Sequence, residues 1–350
     1  MDPGEENDEL DLMIYGLGSN HVSGQSRPCG DSQSASSTTE SESFVTISST
    51  SSDIANSEFR NPPGMSTTIP GVAIPTDNNE ARHVNEEYFI MKKFVGKSYW
   101  GPLDKVLAPQ DGRTLRGLDA VSLGPWLGDM AEQFPHVKWH GVQLVPSRHP
   151  HSDNIVFEVY DVNEGLRGTE GSFDLIHSRL TGTYTKDCKH FINEIRRLLR
   201  PGGLFMAADY KPQFYTAEGS IPREELHFTT KIVDLVRSGT FAQGVNPDEF
   251  PVTAKQLADM GGFEDIHERE IIIPVGPWHP DQQEIGELFR DHTNFTGMSL
   301  KPILRNLGMP ETEINDICNG FAKEVWDPKA KLYMRYIAVY AFKTTEKPAS

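Results

Sequence analysis

The chain has few cysteines, no long apolar run and very few basic residues near its start. Cys29, Cys188 and Cys318 lie far apart and form no CxxC or Cys/His pattern, which argues against a disulfide scaffold and a zinc site. No run of 18 apolar residues is present, and the first residues are acidic where a secretory signal would be basic. These absences predict a cytoplasmic or nuclear protein that is not secreted, has no membrane partner and binds no metal.

The charge of the chain is unevenly distributed. Residues 1–80 contain 13 Asp and Glu but only Arg27 and Arg60, so they carry −11 of the net charge of −17. The chain therefore lacks the basic surface that a direct nucleic-acid binder needs. The same 80 residues are rich in Ser and Thr and poor in large apolar side chains, which predicts a disordered acidic tail. This tail is either only solvated or a docking segment for regulatory protein partners.

Beyond residue 80 the apolar pattern alternates between strands and helices. The strand-like segments read TLRGLDAVSL, VKWHGVQLV, NIVFEVYDV, GSFDLIHSRL and GGLFMAADY, and two more follow at EREIIIPVG and KLYMRYIAVYAFK. The intervening helical segments include WLGDMAEQFP and KDCKHFINEIRRLLR. This alternation predicts an α/β fold with a doubly wound, mainly parallel, seven-stranded sheet and helices on both faces. We predict one domain over residues 81–345, with a helical insertion at about 277–330.

The segment ahead of the first strand is predicted to be helical or mixed. Its aromatic side chains are expected to be buried: Tyr88, Phe89, Phe94, Tyr99 and Trp100.

In an open parallel sheet, ligands bind beyond the carboxyl ends of the strands. The segments that follow the first five predicted strands are polar or contain Gly or Pro: SLGPW, QLVPS, YDVNE, HSRLTGTY and DYKPQFY. We therefore expect the functional site at this edge. Tyr184, Asp209 and Tyr210 are candidates to face a substrate there, but the pattern does not select a catalytic residue.

The order of these segments resembles that of the class I S-adenosylmethionine-dependent methyltransferases. FDLIHSR and LLRPGGLF are the most specific segments. SYWGPLD, DMAEQFP and the distal LADMGGFEDIHEREIIIPVGPWHPDQQEIGELF are similar to the LaeA-type fungal methyltransferases, and this resemblance covers residues 85–343. It implies the class I methyltransferase sheet, S-adenosyl-L-methionine as cofactor, and a small-molecule or protein methyl acceptor. It also implies a role in secondary metabolite biosynthesis or its regulation.

The resemblance also implies which residues bind the cofactor. The implied set is Asp119 and Gly124 in the first glycine turn, the family tryptophan Trp126, Gln143 at the ribose hydroxyls, Asp161 and Val162 at the adenine, and His177 and Ser178 beside the methionine part. From the residues alone, other interpretations stay open. Asp161 would also serve as a loop cap, and His177 as a core histidine.

Two positions depart from the family pattern. The glycine turn should read LDxGxGxG, but here one residue is missing and Leu123 precedes the single remaining glycine, which should narrow the pocket. Gln143 stands where the family has an acidic residue, and its lack of charge should weaken cofactor binding by about 1–2 kcal/mol.

Two functions follow from these observations. The first is a working S-adenosylmethionine-dependent methyltransferase. The alternative is a catalytically weak or inactive methyltransferase fold that acts as a regulatory binding partner. A nicotinamide-dependent dehydrogenase is a third, more distant interpretation, because GxGxxG is absent and the resemblance extends through the C-terminal segments.

Overall fold

The computed structural model describes residues 78–122, 124–144, 152–217, 219 and 225–345. Residues 1–77, which make up nearly all of the predicted tail, lie outside the described part of the chain, as does Leu123. The first helix begins at Asn78, so the last three residues that we predicted as tail belong to this helix.

Seven strands form one sheet in the order β3-β2-β1-β4-β5-β7-β6. The strands are β1 (Arg116–Asp119), β2 (Lys138–Gln143), β3 (Ile155–Val159), β4 (Phe173–Arg179), β5 (Leu199–Tyr215), β6 (Phe263–Pro274) and β7 (Tyr333–Lys343). The first five pair in parallel, and β7 lies antiparallel between β5 and β6. The predicted doubly wound, mainly parallel, seven-stranded sheet is confirmed, with β7 as its antiparallel member.

Helices precede, connect and follow these strands. In the described residues they are α1 (Asn78–Val95), α2 (Leu103–Val106), α3 (Trp126–Gln133), α4 (Cys188–Leu198), α5 (His227–Ala242), α6 (Ala254–Met260), α7 (Gln283–Ser299), α8 (Lys301–Asn306) and α9 (Glu311–Trp326). Within this part of the chain, we find no helix whose length and apolarity would let it cross a bilayer.

The alternation of side chains along the strands divides the core between the two faces of the sheet. Leu175 and Leu204 pack with α2 and α3 on one face. Their strand neighbours Ile176 and Phe205 pack with α4 and α6 on the other face. Helices therefore cover both faces, as the sequence predicts.

Strand β5 is longer than its sequence predicts. Its last pair with β4 joins Ala208 to Arg179, but the strand continues alongside β7 as far as Tyr215. The register is irregular between Tyr210 and Phe214, in a stretch that contains Pro212. A proline removes a backbone donor and is unusual inside a strand, so the pattern hides this extension. The extension therefore runs beyond the carboxyl end of β4 and lines a groove there.

The aromatic residues of the leading segment are not all buried, contrary to our prediction. Tyr88 is buried in α1, but Phe89 is 39% exposed. Successive residues of a helix point about 100° apart, so one faces the sheet while the next faces solvent. Phe94, Tyr99 and Trp100 are half-buried.

A third core cluster joins α1 to the helices α5, α7 and α9. It contains Phe289 of α7, Phe321 of α9 and Ile232 of α5. Helix α5 is not among the helices that the sequence predicts. The first turn of α5 has no side-chain cap of its own, because its N-cap residue is Leu226. Glu324 of α9 takes that role.

Glu324 should therefore stabilise the contact between α5 and α9. Its carboxylate accepts from the backbone N–H of Phe228 at 3.0 Å and from the backbone N–H and hydroxyl of Thr229 at 2.6 and 2.7 Å. We expect Glu324→Ala to lower the free energy of unfolding by about 2 kcal/mol, as measured by urea denaturation. The control Asp259→Ala removes an exposed ion pair of α6 and should change it by less than about 0.5 kcal/mol. Equal losses in the two variants would contradict this role of Glu324.

Candidate functional site

The predicted site residues lie at the carboxyl edge of the sheet. Asp119 ends β1, Gln143 ends β2, Asp161 follows β3, and His177 lies near the end of β4. The central pair β1 and β4 brings Asp119 directly beside His177 in register. Because β1 and β4 are parallel neighbours, Asp119 and His177 lie side by side although 58 positions separate them in the sequence.

Asp119, His177 and Trp126 form a buried cluster. His177 Nδ1 lies 2.9 Å from Asp119 Oδ1. The His177 ring stacks on the Trp126 ring, with 3.6 Å between the ring centroids. Trp126 Nε1 donates to the carbonyl of Ser98 at 2.9 Å. All three clustered side chains are at most 5% exposed, so their orientations are fixed by their neighbours.

Gln143 is buried at the end of β2, next to the turn that follows β1. The backbone N–H of Ser122 donates to the carbonyl of Val142 at 2.7 Å, so the β1 turn runs alongside this strand end. Gln143 itself is 9% exposed. The residues of the predicted loop that follow Leu144, residues 145–151, lie outside the described part of the chain, as does Leu123 with its predicted narrowing effect.

Gly124 occupies a position that other residues would fill only with strain. Its φ is +71°, and a Cβ atom there would lie 2.9 Å from Val84 Cγ1 and 3.6 Å from Arg179 Nη2. The glycine turn therefore faces α1 on one side and the end of β4 on the other.

Asp161 and Val162 lie at the end of β3, the outermost strand on this side of the sheet. Asp161 Oδ1 accepts from the backbone N–H and the side-chain amide of Asn163, at 2.9 and 2.8 Å, and so caps the turn Val162–Glu164. Val162 is 1% exposed and belongs to the core. Asn163 also donates to the carbonyl of Tyr184, which ties this turn to the loop after β4.

Ser178 and Arg179 complete the end of β4. Ser178 is buried, and its Oγ lies 3.2 Å from Thr181 Oγ1. Arg179 forms an ion pair with Glu87 of α1, and Tyr210 donates its hydroxyl to the same carboxylate at 3.1 Å. The sequence analysis did not identify Glu87. No local pattern could reveal it, because it meets Arg179 across 92 residues.

Two cavities border this edge. The smaller, of about 60 Å³, lies between α1 and strands β4, β5 and β7, and its walls include Trp126, His177 and Arg179. The larger is a groove of about 610 Å³ along the extension of β5, lined in part by Lys211 and Tyr215. Sites for drug-sized ligands measure about 300–1,000 Å³, and of these two cavities the groove has that size. In the described part of the chain, no three His, Cys, Asp or Glu side chains are placed to hold a metal ion.

The three substrate-facing candidates differ in their surroundings. Tyr184 packs against the core. Tyr210 packs between Phe289 and Tyr336, and burial raises its pKa well above the ordinary value, so it stays protonated at neutral pH. Burial raises the pKa of Asp209 to about 6, against hydrogen bonds from the backbone N–H groups of Gly182 and Tyr210. Asp209 therefore titrates closer to neutral pH than Tyr210 does.

Asp209 should make stability depend on pH in a defined window. The folded carboxyl group holds its proton up to a pKa of about 6, whereas the unfolded group loses it near pH 4. The contribution of Asp209 to the free energy of unfolding should therefore fall as pH rises from about 4 to about 6. The unfolding free energy of Asp209→Asn minus that of the natural chain should therefore rise between about pH 4 and about pH 6 and stay constant above about pH 6. Urea denaturation at several pH values measures this difference, and a difference independent of pH would contradict the assignment.

A family model described as a methyltransferase domain matches residues 147–262. The matched segment contains β3, β4 and β5 and ends just before β6. It leaves out β1 and β2, which carry the altered glycine turn and Gln143. The chain is therefore similar to a methyltransferase domain over this segment, and the match begins after the two departures from the family pattern.

Curated proteins and solved structures resemble the chain over a longer stretch. It is 27% identical to a secondary metabolism regulator laeA of Coprinopsis cinerea, over 77% of this chain and 69% of that protein. It is 28% identical to a protein-methionine methyltransferase laeA of Emericella nidulans, over 60% of this chain and 57% of that protein. A phosphoethanolamine N-methyltransferase 2 of Haemonchus contortus, solved with S-adenosyl-L-methionine, matches 78% of this chain and 62% of its own, with 16% identity and a TM-score of 0.40.

The resemblance to LaeA-type proteins that the sequence motifs indicate is thus also found when whole sequences are compared. The strand order also agrees with the sheet that this resemblance implies. In its sequence relatives, in the matched methyltransferase-domain model and in its sheet, the chain is similar to the LaeA proteins and has the sheet expected of a class I methyltransferase fold.

Proposed function

We propose that this protein binds S-adenosyl-L-methionine at the carboxyl edge of its sheet and transfers the methyl group to a small secondary metabolite or a protein. The observation that carries the proposal is the pairing of Asp119 with His177 at the ends of β1 and β4, with Gly124 close to Arg179 in the turn that follows β1. This is the edge at which open α/β sheets bind their ligands. Relatives named as regulators of secondary metabolism support a regulatory role for the methyl transfer.

The residues of the edge suit the parts of this cofactor. Gln143 would accept hydrogen bonds from the ribose hydroxyls, and Asp161 would accept from the adenine amino group beside the backbone of Val162. His177 and Ser178 would lie beside the methionine part. When bound, the cofactor supplies an electrophilic methyl group on a sulfonium sulfur. The protein's contribution is to hold the acceptor in line with that group and to exclude water.

The groove along β5 is our candidate for the acceptor site. Gly182 brings Asp209 close to Phe250, since a Cβ at Gly182 would lie 3.1 Å from Asp209 Oδ2 and 2.7 Å from Phe250 Cβ. Phe250 lines the groove, so Asp209 stands near its inner end. A carboxyl group with a pKa of about 6 is suited to remove a proton from an acceptor at neutral pH.

A second function is favoured by a separate observation. Helix α1 packs directly on Gly124, and the smaller cavity beside His177 is only about 60 Å³. Together with Leu123 and Gln143, this crowding supports a protein that binds the cofactor weakly or not at all and acts through a regulatory partner. In that case the acidic tail would supply the docking segment, in the cytoplasm or the nucleus.

A thermal-shift comparison of nucleotide ligands tests the proposal. A ligand at about 100 times its dissociation constant should stabilise the fold by about 2.7 kcal/mol. We expect S-adenosyl-L-methionine and S-adenosylhomocysteine to raise the melting temperature by several degrees, and ATP and NAD⁺ to leave it unchanged. A shift with NAD⁺ alone would favour a dehydrogenase. No shift with any of the four ligands would leave the regulatory alternative.

A further inference from the structure

A buried ion pair joins α1 to the candidate cofactor site. The Arg179 side chain is 7% exposed and the Glu87 side chain 3% exposed. Arg179 Nη1 donates to Glu87 Oε2, while Glu87 Oε1 accepts from the hydroxyl of Tyr210. A buried charge that loses its partner is strongly destabilising. The Glu87 carboxylate therefore stabilises the buried guanidinium group, and the charge of Asp209 also acts on it.

This ion pair lies where the predicted cofactor residues meet. Arg179 Nη2 is 3.6 Å from the position of a Cβ on Gly124, and Arg179 shares the wall of the smaller cavity with His177 and Trp126. Helix α1 closes the same space, because Val84 lies against Gly124 and Tyr88 borders the cavity. A cavity of about 60 Å³ is too small for a nucleoside bearing an amino-acid chain. In the cavity beside His177 and Trp126, a ligand of that size has room only if this part of α1 moves.

We propose that Arg179 is the carboxylate-binding residue of the cofactor site, and that Glu87 holds this position until the carboxylate of a ligand replaces it. The inference rests on the proposed function, since S-adenosyl-L-methionine carries a carboxylate at its methionine end. The exchange keeps one carboxylate on Arg179 throughout, so no buried cation is left unpaired. Glu87 moves into water together with α1 and regains its hydration.

The exchange predicts selectivity for ligands that carry a carboxylate. A ligand without this group would displace Glu87 and give Arg179 no hydrogen-bonded carboxylate in its place, which is unfavourable in a buried site. A charge-assisted hydrogen bond contributes about 1.5–3 kcal/mol, which corresponds to a ten- to hundredfold difference in affinity. S-adenosylhomocysteine and its decarboxylated analogue differ in this group alone.

Calorimetric titration of the full chain with these two ligands tests the proposal. We expect the natural chain to bind S-adenosylhomocysteine about ten- to hundredfold more tightly than the decarboxylated analogue. Arg179→Met should remove this preference. Glu87→Gln should tighten binding of S-adenosylhomocysteine by about three- to tenfold, because the competing carboxylate is gone and the open form is more populated.

Two control variants break ion pairs outside the site. Arg113→Met removes a partner of Asp174 at the amino end of β4, and Glu284→Gln removes the exposed partner of Lys93 on α1. Both should keep the affinities of the natural chain. If Arg179→Met does not fold, the double variant Glu87→Met/Arg179→Met removes both charges of the pair and should show no preference between the two ligands.

The outcomes separate this proposal from the proposed function. Equal affinity of the natural chain for both ligands, or a preference that survives the loss of Arg179, overturns the role of Arg179 and leaves cofactor binding intact. Failure of S-adenosylhomocysteine to bind either the natural chain or Glu87→Gln overturns both proposals.

Discussion

Replacing Trp126 by alanine should lower the free energy of unfolding by about 3–5 kcal/mol and abolish binding of S-adenosylhomocysteine. Trp126 is 2% exposed, and its ring packs edge-on against Trp139 with 6.0 Å between the ring centroids. The same ring stacks on His177 and lines the smaller cavity. Its loss would leave a void in the core and free the His177 ring to turn. The variant should therefore lose both stability and ligand binding. Urea denaturation and calorimetry measure the two effects.

Trp326 provides a matched control for this substitution. It ends α9, is 51% exposed, and contacts the guanidinium group of Arg290 at 3.7 Å from the ring centroid. Trp326→Ala removes an exposed cation–π contact and should cost about 1 kcal/mol or less, with no change in ligand affinity. If Trp126→Ala bound the ligand as tightly as Trp326→Ala does, the cluster around His177 would not be part of the site.

Asp161→Asn should weaken binding of S-adenosylhomocysteine about ten- to hundredfold without changing stability. Asparagine caps a turn about as well as aspartate, so its Oδ1 can keep the bonds to Asn163. The second oxygen becomes an amide NH₂ group, which donates and cannot accept from the adenine amino group. The substitution therefore separates the proposed adenine contact from the cap that the structure shows.

Asp327→Asn is the control for that change. Asp327 Oδ1 accepts from the backbone N–H of Lys329 at 2.9 Å, which is the same local geometry as in Asp161 and Asn163. This control should alter neither stability nor affinity. If Asp161→Asn also kept full affinity, the cap would be the whole role of Asp161 and the adenine assignment would be wrong.

The sequence predicts the strands well because their apolar pattern is strong. All seven residues of FDLIHSR are buried in β4, and the parallel pairing agrees with the helices α3 and α4, which connect β1 to β2 and β4 to β5. The closing strand KLYMRYIAVYAFK is confirmed as β7, whereas its antiparallel direction was not predicted. The predicted edge of the sheet is therefore the edge at which the site residues lie.

Contacts between distant segments could not be predicted in this way. Glu87 lies in a helix whose pattern gives no reason to bury a carboxylate, and its partner Arg179 is 92 residues away. The exposure of Phe89 depends on which side of α1 faces the sheet, and that side is set by packing against α3 and α7 rather than by local pattern. The extension of β5 is hidden by Pro212, which is unfavourable in a strand and is placed there at an irregular register.

The stretch GLDAVSLGPW shows most clearly what the structure adds to the sequence. The sequence shows a turn with a single glycine, Gly124, and the structure shows that this glycine has a positive φ and faces α1 and Arg179. Asp119, which opens the turn, is held by His177. Asp119 and Trp126 on either side of the turn are therefore part of one buried cluster, whereas Gly124 is exposed and lies beside Val84 of α1.

Calorimetric titration of the full chain with S-adenosylhomocysteine tests most directly whether this edge of the sheet is a cofactor site. We predict one binding site per chain with a dissociation constant in the micromolar range, weakened by the uncharged Gln143. The absence of heat at millimolar ligand, from protein that still unfolds cooperatively in urea, would contradict the account and leave a methyltransferase fold that works without its cofactor.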